Sequence, residues 1–136
     1  MVTSNKKILV TGGAGYIGSV LVPELLKNGY KVRVLDSLVF GQTSLLPYFI
    51  DENFEFIKGD IRDADAVKNA VEGVDTIIHL AAIVGAPACK KNPQLAEEVN
   101  FVGSTNINNA RNNSQKLFYA STGSVYGKVD GISVES

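Results

Sequence analysis

Cysteine, histidine and tryptophan are almost missing from this 136-residue sequence, which has Cys89, His79 and no tryptophan. A single cysteine excludes an intrachain disulfide and fits a reducing compartment. With no second histidine either, a metal site of the usual thiolate and imidazole ligands cannot be assembled. Charge of one sign is lacking as well: 13 Lys and Arg face 14 Asp and Glu, a formal net charge of −1. Such a balance gives no general attraction to nucleic acid or to an anionic membrane. No apolar run approaches the roughly 20 residues that span a bilayer. Residues Met1–Lys7 are polar, without the apolar core of a signal peptide. A cytoplasmic protein is expected, one domain in size and long enough to bury about two-thirds of its unfolded surface.

Glycine, in contrast, is plentiful and clustered. Four of the 13 glycines, at positions 12, 13, 15 and 18, fall within seven residues. They follow an apolar run, Ile8-Leu9-Val10, that reads as a buried strand, and they precede a helical pattern. A strand feeding a helix through a tight turn presents backbone N–H groups and the positive end of the helix dipole, which suits a pyrophosphate. A glycine motif alone is weak, but this one stands in the strand–turn–helix context that the motif requires.

Taken in order, the chain alternates strands and helices. Ile17, Leu21 and Leu25, flanked by Val20 and Leu26, give one apolar helix face that continues past Pro23 and ends at Asn28-Gly29. Lys31–Asp36 alternates as a second strand, and residues 37–53 are irregular, with room for a short helix. Phe54–Lys58 is a third strand. Asp63 caps a helix that Gly73 ends, and 74–82 is the fourth strand. A loop with Gly85 and Pro87 leads to Asn92-Pro93, which opens a helix packed through Leu95, Val99, Val102 and Ala110. Residues 116–121 make a fifth strand, and a polar tail follows. The alternation predicts an α/β fold, a doubly wound parallel sheet of order 3-2-1-4-5.

Asp36 ends the second strand 24 residues after Gly12. There a carboxylate can accept both hydroxyls of an adenine ribose and repel a 2′-phosphate, which selects NAD over NADP. Asp60 and Ile61 end the third strand, where an adenine contact and an ordinary turn are equally open readings. His79, inside an apolar strand, reads as a core residue with its polar atoms satisfied. Cys89 reads as an ordinary loop thiol beside Lys90 and Lys91. Ser121, Thr122 and Ser124 follow the fifth strand, at the edge where open α/β sheets bind ligands.

Thr11–Gly18, Asp36, Gly59-Asp-Ile-Arg-Asp63, His79-Leu-Ala-Ala82, Asn100 and Ser121-Thr-Gly-Ser-Val-Tyr-Gly127 together resemble the extended short-chain dehydrogenase/reductases. More narrowly, they resemble the NAD-dependent sugar-nucleotide epimerase/dehydratase group, in order and spacing from residue 7 to 127. The resemblance implies a Rossmann domain with NAD as cofactor and a nucleoside-diphosphate sugar as substrate. It also implies a homodimer for the full-length form. Gly12, Gly15, Tyr16, Ile17 and Gly18 would hold the pyrophosphate, Asp36 the adenosine ribose, and Asp60 with Ile61 the adenine. Leu80, Ala81 and Ala82 would line the nicotinamide ribose, and Asn100 would support the cofactor from its helix. Thr122 would bond the reacting sugar hydroxyl. Val84, in the loop 83–89, and Gly123, Ser124 and Tyr126 would lie near the substrate.

The family's 4,6-dehydratases carry an acid at the positions held here by Gly123 and Ser124, so epimerase or simple oxidoreductase chemistry is preferred. The family's base is a tyrosine with a lysine four residues later. The residues four beyond Tyr16, Tyr30, Tyr48, Tyr119 and Tyr126 are Val20, Val34, Glu52, Gly123 and Asp130. The expectation is therefore the amino-terminal portion of an epimerase-type enzyme, cut after the fifth strand, with the Tyr-x-x-x-Lys helix and substrate domain outside the chain and no turnover from these residues alone. A short NAD-binding module without catalysis is the alternative.

Overall fold

The computed structural model describes residues 5–122 and 127. Its strands are β1 (Lys7–Thr11), β2 (Lys31–Asp36), β3 (Phe54–Lys58), β4 (Thr76–His79) and β5 (Lys116–Tyr119). They form one parallel sheet in the order β3-β2-β1-β4-β5, as the alternating pattern predicts. The central strand is apolar at its three middle residues, Ile8, Leu9 and Val10, because both of its faces are covered. Ile8 and Val10 pack with Val32, Val34, Val22 and Leu26 on the side of helix α1 (Gly18–Lys27). Leu9 joins Leu35 and Ile77 on the other side, under α2 (Ala64–Val71) and α5 (Ser104–Ala110). Fully burying such a side chain contributes about 1.5–3 kcal/mol. No helix among the described residues is long and apolar enough to cross a membrane.

Local chemistry places the helix ends where expected. Asp63 Oδ1 accepts from the backbone N–H groups of Asp65 and Ala66 at 3.0 and 3.2 Å. Asn92 Oδ1 caps α4 (Pro93–Glu97) through Leu95 N–H at 3.1 Å. The far end of α2 has carbonyls without intrahelical partners, and Arg33 of β2 donates to those of Asn69, Ala70 and Glu72. A cation at that end also opposes the helix dipole. The short helix allowed within 37–53 is a single 3-10 turn, Leu46–Tyr48.

The structure departs from the sequence pattern at five places. The buried face of α1 is Gly18, Val22 and Leu26, while Ile17 and Val20 are exposed. A Cβ on Gly18 would fall inside the backbone of Gly13, so that contact turns Gly18 inward and carries positions 22 and 26 with it. The fourth strand stops at His79 because Ala81 N–H bonds a side-chain oxygen, Thr11 Oγ1, and leaves the ladder. The fifth likewise ends at Tyr119, short of Ser121. The stretch 83–92 is not all loop: Ala86–Lys91 forms helix α3, with Pro87 in the first turn, where a missing N–H costs nothing.

The helix expected from residue 93 to 110 is broken by a π-helical segment, Glu98–Gly103, between α4 and α5. A π turn takes in one extra residue and shifts the inner face by one. Val102 is therefore exposed, and Gly103 occupies its inward place against Ile61.

Candidate functional site

Parallel strands bring their carboxyl ends to one edge, where open α/β sheets bind ligands. The strand-end residues meet there: the glycine turn after β1, Asp36 at the end of β2, Asp60 after β3, residues 80–84 after β4 and Thr122 beyond β5.

Gly12 has φ +67°, a conformation that glycine adopts without a Cβ penalty. A Cβ there would also lie 2.7 Å from the Ala81 backbone, so the turn packs directly on the exit of β4. Gly12 N–H donates to the Leu35 carbonyl at 2.9 Å, and Gly15 N–H donates to the Gly12 carbonyl at 3.0 Å. Gly15 meets nothing else within 4 Å of its missing Cβ, which leaves an open backbone approach. Tyr16 and Ile17 project outward, 94% and 59% exposed.

Asp36 is buried, and its carboxylate is fixed from two sides. Oδ2 accepts from Ala14 N–H at 3.0 Å, and Oδ1 accepts from Leu38 N–H at 2.9 Å. Leu38 has φ +54°, the one positive φ outside glycine among the described residues. Each oxygen keeps a lone pair for a further donor. The strand pattern indicates Asp36; the Ala14 contact that ties it to the glycine turn has no signal in sequence spacing.

Asp60 stands where expected, but Arg62 surrounds it. Arg62 donates from Nε to both carboxylate oxygens at 3.1 and 3.0 Å, from Nη2 to Oδ2 at 2.7 Å, and from its backbone N–H to Oδ1 at 2.9 Å. These bonds outweigh the upward push of partial burial and hold the Asp60 carboxyl below its ordinary range. The same guanidinium reaches Glu98 at 3.0 Å, and Asp60, Arg62, Asp63, Glu98 and Val102 line a shallow groove. Ile61 turns inward onto Gly103, and its carbonyl accepts from Asn106 Nδ2 at 3.0 Å. Sequence reasoning missed the Arg62–Glu98 connection, which joins residues 36 apart.

On the other side of the glycine turn, Leu80 N–H donates to the Thr11 carbonyl at 3.1 Å. Leu80 and Ala81 are half-buried, whereas Ala82 and Val84 are exposed. Asn100, within the π segment, grips Ile83 by both backbone groups: Oδ1 accepts from Ile83 N–H at 2.7 Å and Nδ2 donates to its carbonyl at 2.9 Å. Cys89 Sγ lies 3.5 Å from that same carbonyl.

His79 is buried and bonded at both ring nitrogens, as a core histidine must be. Nδ1 lies 2.6 Å from Thr11 Oγ1 and Nε2 lies 3.0 Å from Ser104 Oγ. Burial lowers its pKa to about 4. The sequence pattern marks neither hydroxyl as a partner of the ring. Thr11 faces His79 in the β1–β4 register, so aligning the two strands would have found it; Ser104 depends on the π turn.

Thr122 is exposed at the same edge. Gly123, Ser124 and Tyr126 lie outside the described residues.

The chain matches the model of the NAD dependent epimerase/dehydratase family over residues 8–136. It is 33% identical over 143 aligned positions to a bifunctional UDP-glucose 4-epimerase and UDP-xylose 4-epimerase of Pisum sativum, covering 97% of this chain and 41% of the relative. Among solved structures, it resembles a UDP-glucose 4-epimerase of Thermus thermophilus in complex with NAD. The identity is 36% and the TM-score 0.82, over 95% of this chain and 42% of the other. A dTDP-glucose 4,6-dehydratase of Streptomyces venezuelae, also with NAD bound, gives 34% identity and a TM-score of 0.83, over 94% of this chain and 43% of the other. The chain thus spans about two fifths of the length of these relatives.

Proposed function

This chain belongs to the NAD dependent epimerase/dehydratase family, and from that premise we propose that its residues form the cofactor-holding portion of a sugar-nucleotide epimerase. The observation that carries the reading is the Asp36 carboxylate. Two backbone N–H groups pin it beside the glycine turn, with a lone pair left on each oxygen. That arrangement fits the vicinal hydroxyls of an adenosine ribose, and its charge opposes the 2′-phosphate of NADP. The glycine turn fits the adjoining pyrophosphate, because Gly15 leaves its backbone open to close approach.

In the proposed site, Gly12, Gly15, Tyr16, Ile17 and Gly18 hold the pyrophosphate: the glycines shape the turn and leave room for close approach, while Tyr16 and Ile17 offer main-chain N–H groups at the start of α1, where its dipole is positive. Asp36 holds the ribose. Asp60 takes the adenine amino group once Arg62 moves aside, and Ile61 supports that end from within the core. Leu80, Ala81 and Ala82 border the nicotinamide ribose, with Asn100 steadying the loop behind them. Bound NAD supplies a hydride acceptor that can return the hydride. Thr122 donates to, or accepts from, the sugar hydroxyl being oxidised, and Val84, Gly123, Ser124 and Tyr126 border the sugar.

The proposed substrate is a nucleoside-diphosphate sugar, as the relatives' names indicate. Gly123 and Ser124 favour epimerisation, since an elimination of water needs a proton donor that neither can supply. We place the Tyr-x-x-x-Lys base and the sugar-nucleotide domain outside these 136 residues, and assign the full-length form as a homodimer. A second reading, an NAD-binding module without turnover, is favoured by one observation: no tyrosine in the sequence has lysine four residues later.

The test is Asp36→Asn, which keeps the shape and removes the charge. NAD binding should weaken by about tenfold, the worth of a hydrogen bond to a charged group, and the discrimination against NADP should shrink with it. Unchanged discrimination would remove the role of Asp36. Turnover of a UDP-sugar by the 136 residues would overturn the placement of the base outside them.

A further inference from the structure

A directed hydrogen-bond chain runs behind the sheet edge. Ser104 Oγ lies 2.6 Å from the Asn100 carbonyl, and a hydroxyl has one hydrogen to give, so Ser104 donates there. At its other contact, His79 Nε2, the same hydroxyl accepts, which puts the ring proton on Nε2. Nδ1 is then bare and accepts from the Thr11 hydroxyl. Thr11 Oγ1 in turn accepts from Ala81 N–H at 3.3 Å. Every donor in the chain finds its acceptor when His79 is neutral and protonated at Nε2, whereas a second proton on Nδ1 would take the acceptor from the Thr11 hydroxyl.

Both ends of this chain act on the loop that follows β4. One end is the Ala81 amide. The other is the π turn, whose Asn100 side chain holds Ile83 by its N–H and its carbonyl. Ala82 between them and Val84 beyond are exposed. The loop's shape is thus set from behind by the chain, and a loop ordered in advance costs less to bind against.

We propose that His79 is a positioning residue for the nicotinamide end of the cofactor site, holding loop 80–84 in its binding shape through Thr11 and Ala81 on one side and through Ser104 and Asn100 on the other. This rests on the NAD reading above. It assigns the adenine end to Asp36 and the glycine turn, which have their own backbone bonds.

The experiment compares NAD with ADP, which lacks the nicotinamide half, by calorimetric titration of the 136-residue chain and of His79→Leu, His79→Gln and Ser104→Ala. His79→Leu and Ser104→Ala should weaken NAD about three- to tenfold, the worth of one neutral hydrogen bond, and leave ADP within about twofold. His79→Gln retains a donor near the Nε2 position and should recover most of the loss. Equal losses for NAD and ADP, or no loss for either, would overturn the positioning role while leaving the NAD reading intact. Failure of the unsubstituted chain to bind NAD would overturn both. Should His79→Leu not fold, Ser104→Ala and the ring nitrogen NMR signals of the unsubstituted chain carry the test. With one histidine the signals are unambiguous, and a proton on Nδ1 would refute the directed chain.

Discussion

Lowering the pH from 7 to 4 should destabilise the fold mainly through one side chain, His79. Its folded pKa is lowered by burial from 6.5 to about 4. The unfolded chain therefore binds a proton that the folded chain refuses, and stability is lost as pH falls through this window. Above pH 6.5 the ring is neutral in both states and the full stability is present. With one pKa unit equal to about 1.4 kcal/mol, the loss attributable to His79 is about 2 kcal/mol at pH 5 and about 3 kcal/mol at pH 4. The partners of the ring are two hydroxyls, Thr11 and Ser104, so its first contacts include no carboxylate to hold the charged form.

Glu55 behaves in the opposite sense. Burial raises its pKa, but bonds from Lys7 and Arg33 prevail and lower it from 4.5. Asp60 is lowered from 3.8. Both contribute stability that is lost only below those ordinary values, so the interval from pH 5 to 7 isolates the histidine. Urea unfolding at half-unit steps of pH measures the slope, and His79→Gln should flatten it between pH 5 and 6.5. NMR titration of the single ring gives its pKa directly. An observed value near 6.5, or a slope unchanged by His79→Gln, would refute the reasoning.

Other perturbations have calculable outcomes. Gly18→Ala drives a methyl into the Gly13 backbone, which cannot yield as a flexible side chain would; urea unfolding should show a loss of roughly 1–3 kcal/mol or more. Gln115 is buried, donates to the Val71 and Val74 carbonyls at 2.8 Å each, and accepts from Asn112 N–H at 2.9 Å. Gln115→Ala should cost about 2–3 kcal/mol by the same measurement, because the groups it leaves have poor access to water. Arg62→Ala removes partly exposed pairs with Asp60 and Glu98; it should change stability by less than about 1 kcal/mol, and the Asp60 pKa should rise towards its ordinary value by NMR titration.

Strand order, and with it the gathering of the candidate residues at one edge of the sheet, was legible because both follow from coarse periodicity. Apolar runs of strand length, separated by helices and closed by glycine or aspartate, admit few arrangements, and parallel strands collect their carboxyl ends at one edge. Details set by close approach were not legible. Gly18 could be assigned to packing in advance, but not the rotation of α1 that its contact with Gly13 enforces. The π turn has no signature in apolar spacing, yet it decides that Gly103 rather than Val102 faces Ile61 and that Ser104 reaches His79. Arg62 stands two residues from Asp60 in sequence, but its second anchor, Glu98, comes from a helix that only tertiary packing brings near.

Asp36 and the glycine turn together should form an NAD site. Calorimetric titration of the unsubstituted chain with NAD and with NADP, under identical salt and pH, tests this. NAD should bind saturably and one-to-one, and NADP more weakly by about tenfold or more, since the buried carboxylate opposes the 2′-phosphate. NADP binding as tight as NAD, or no binding of either, would contradict it.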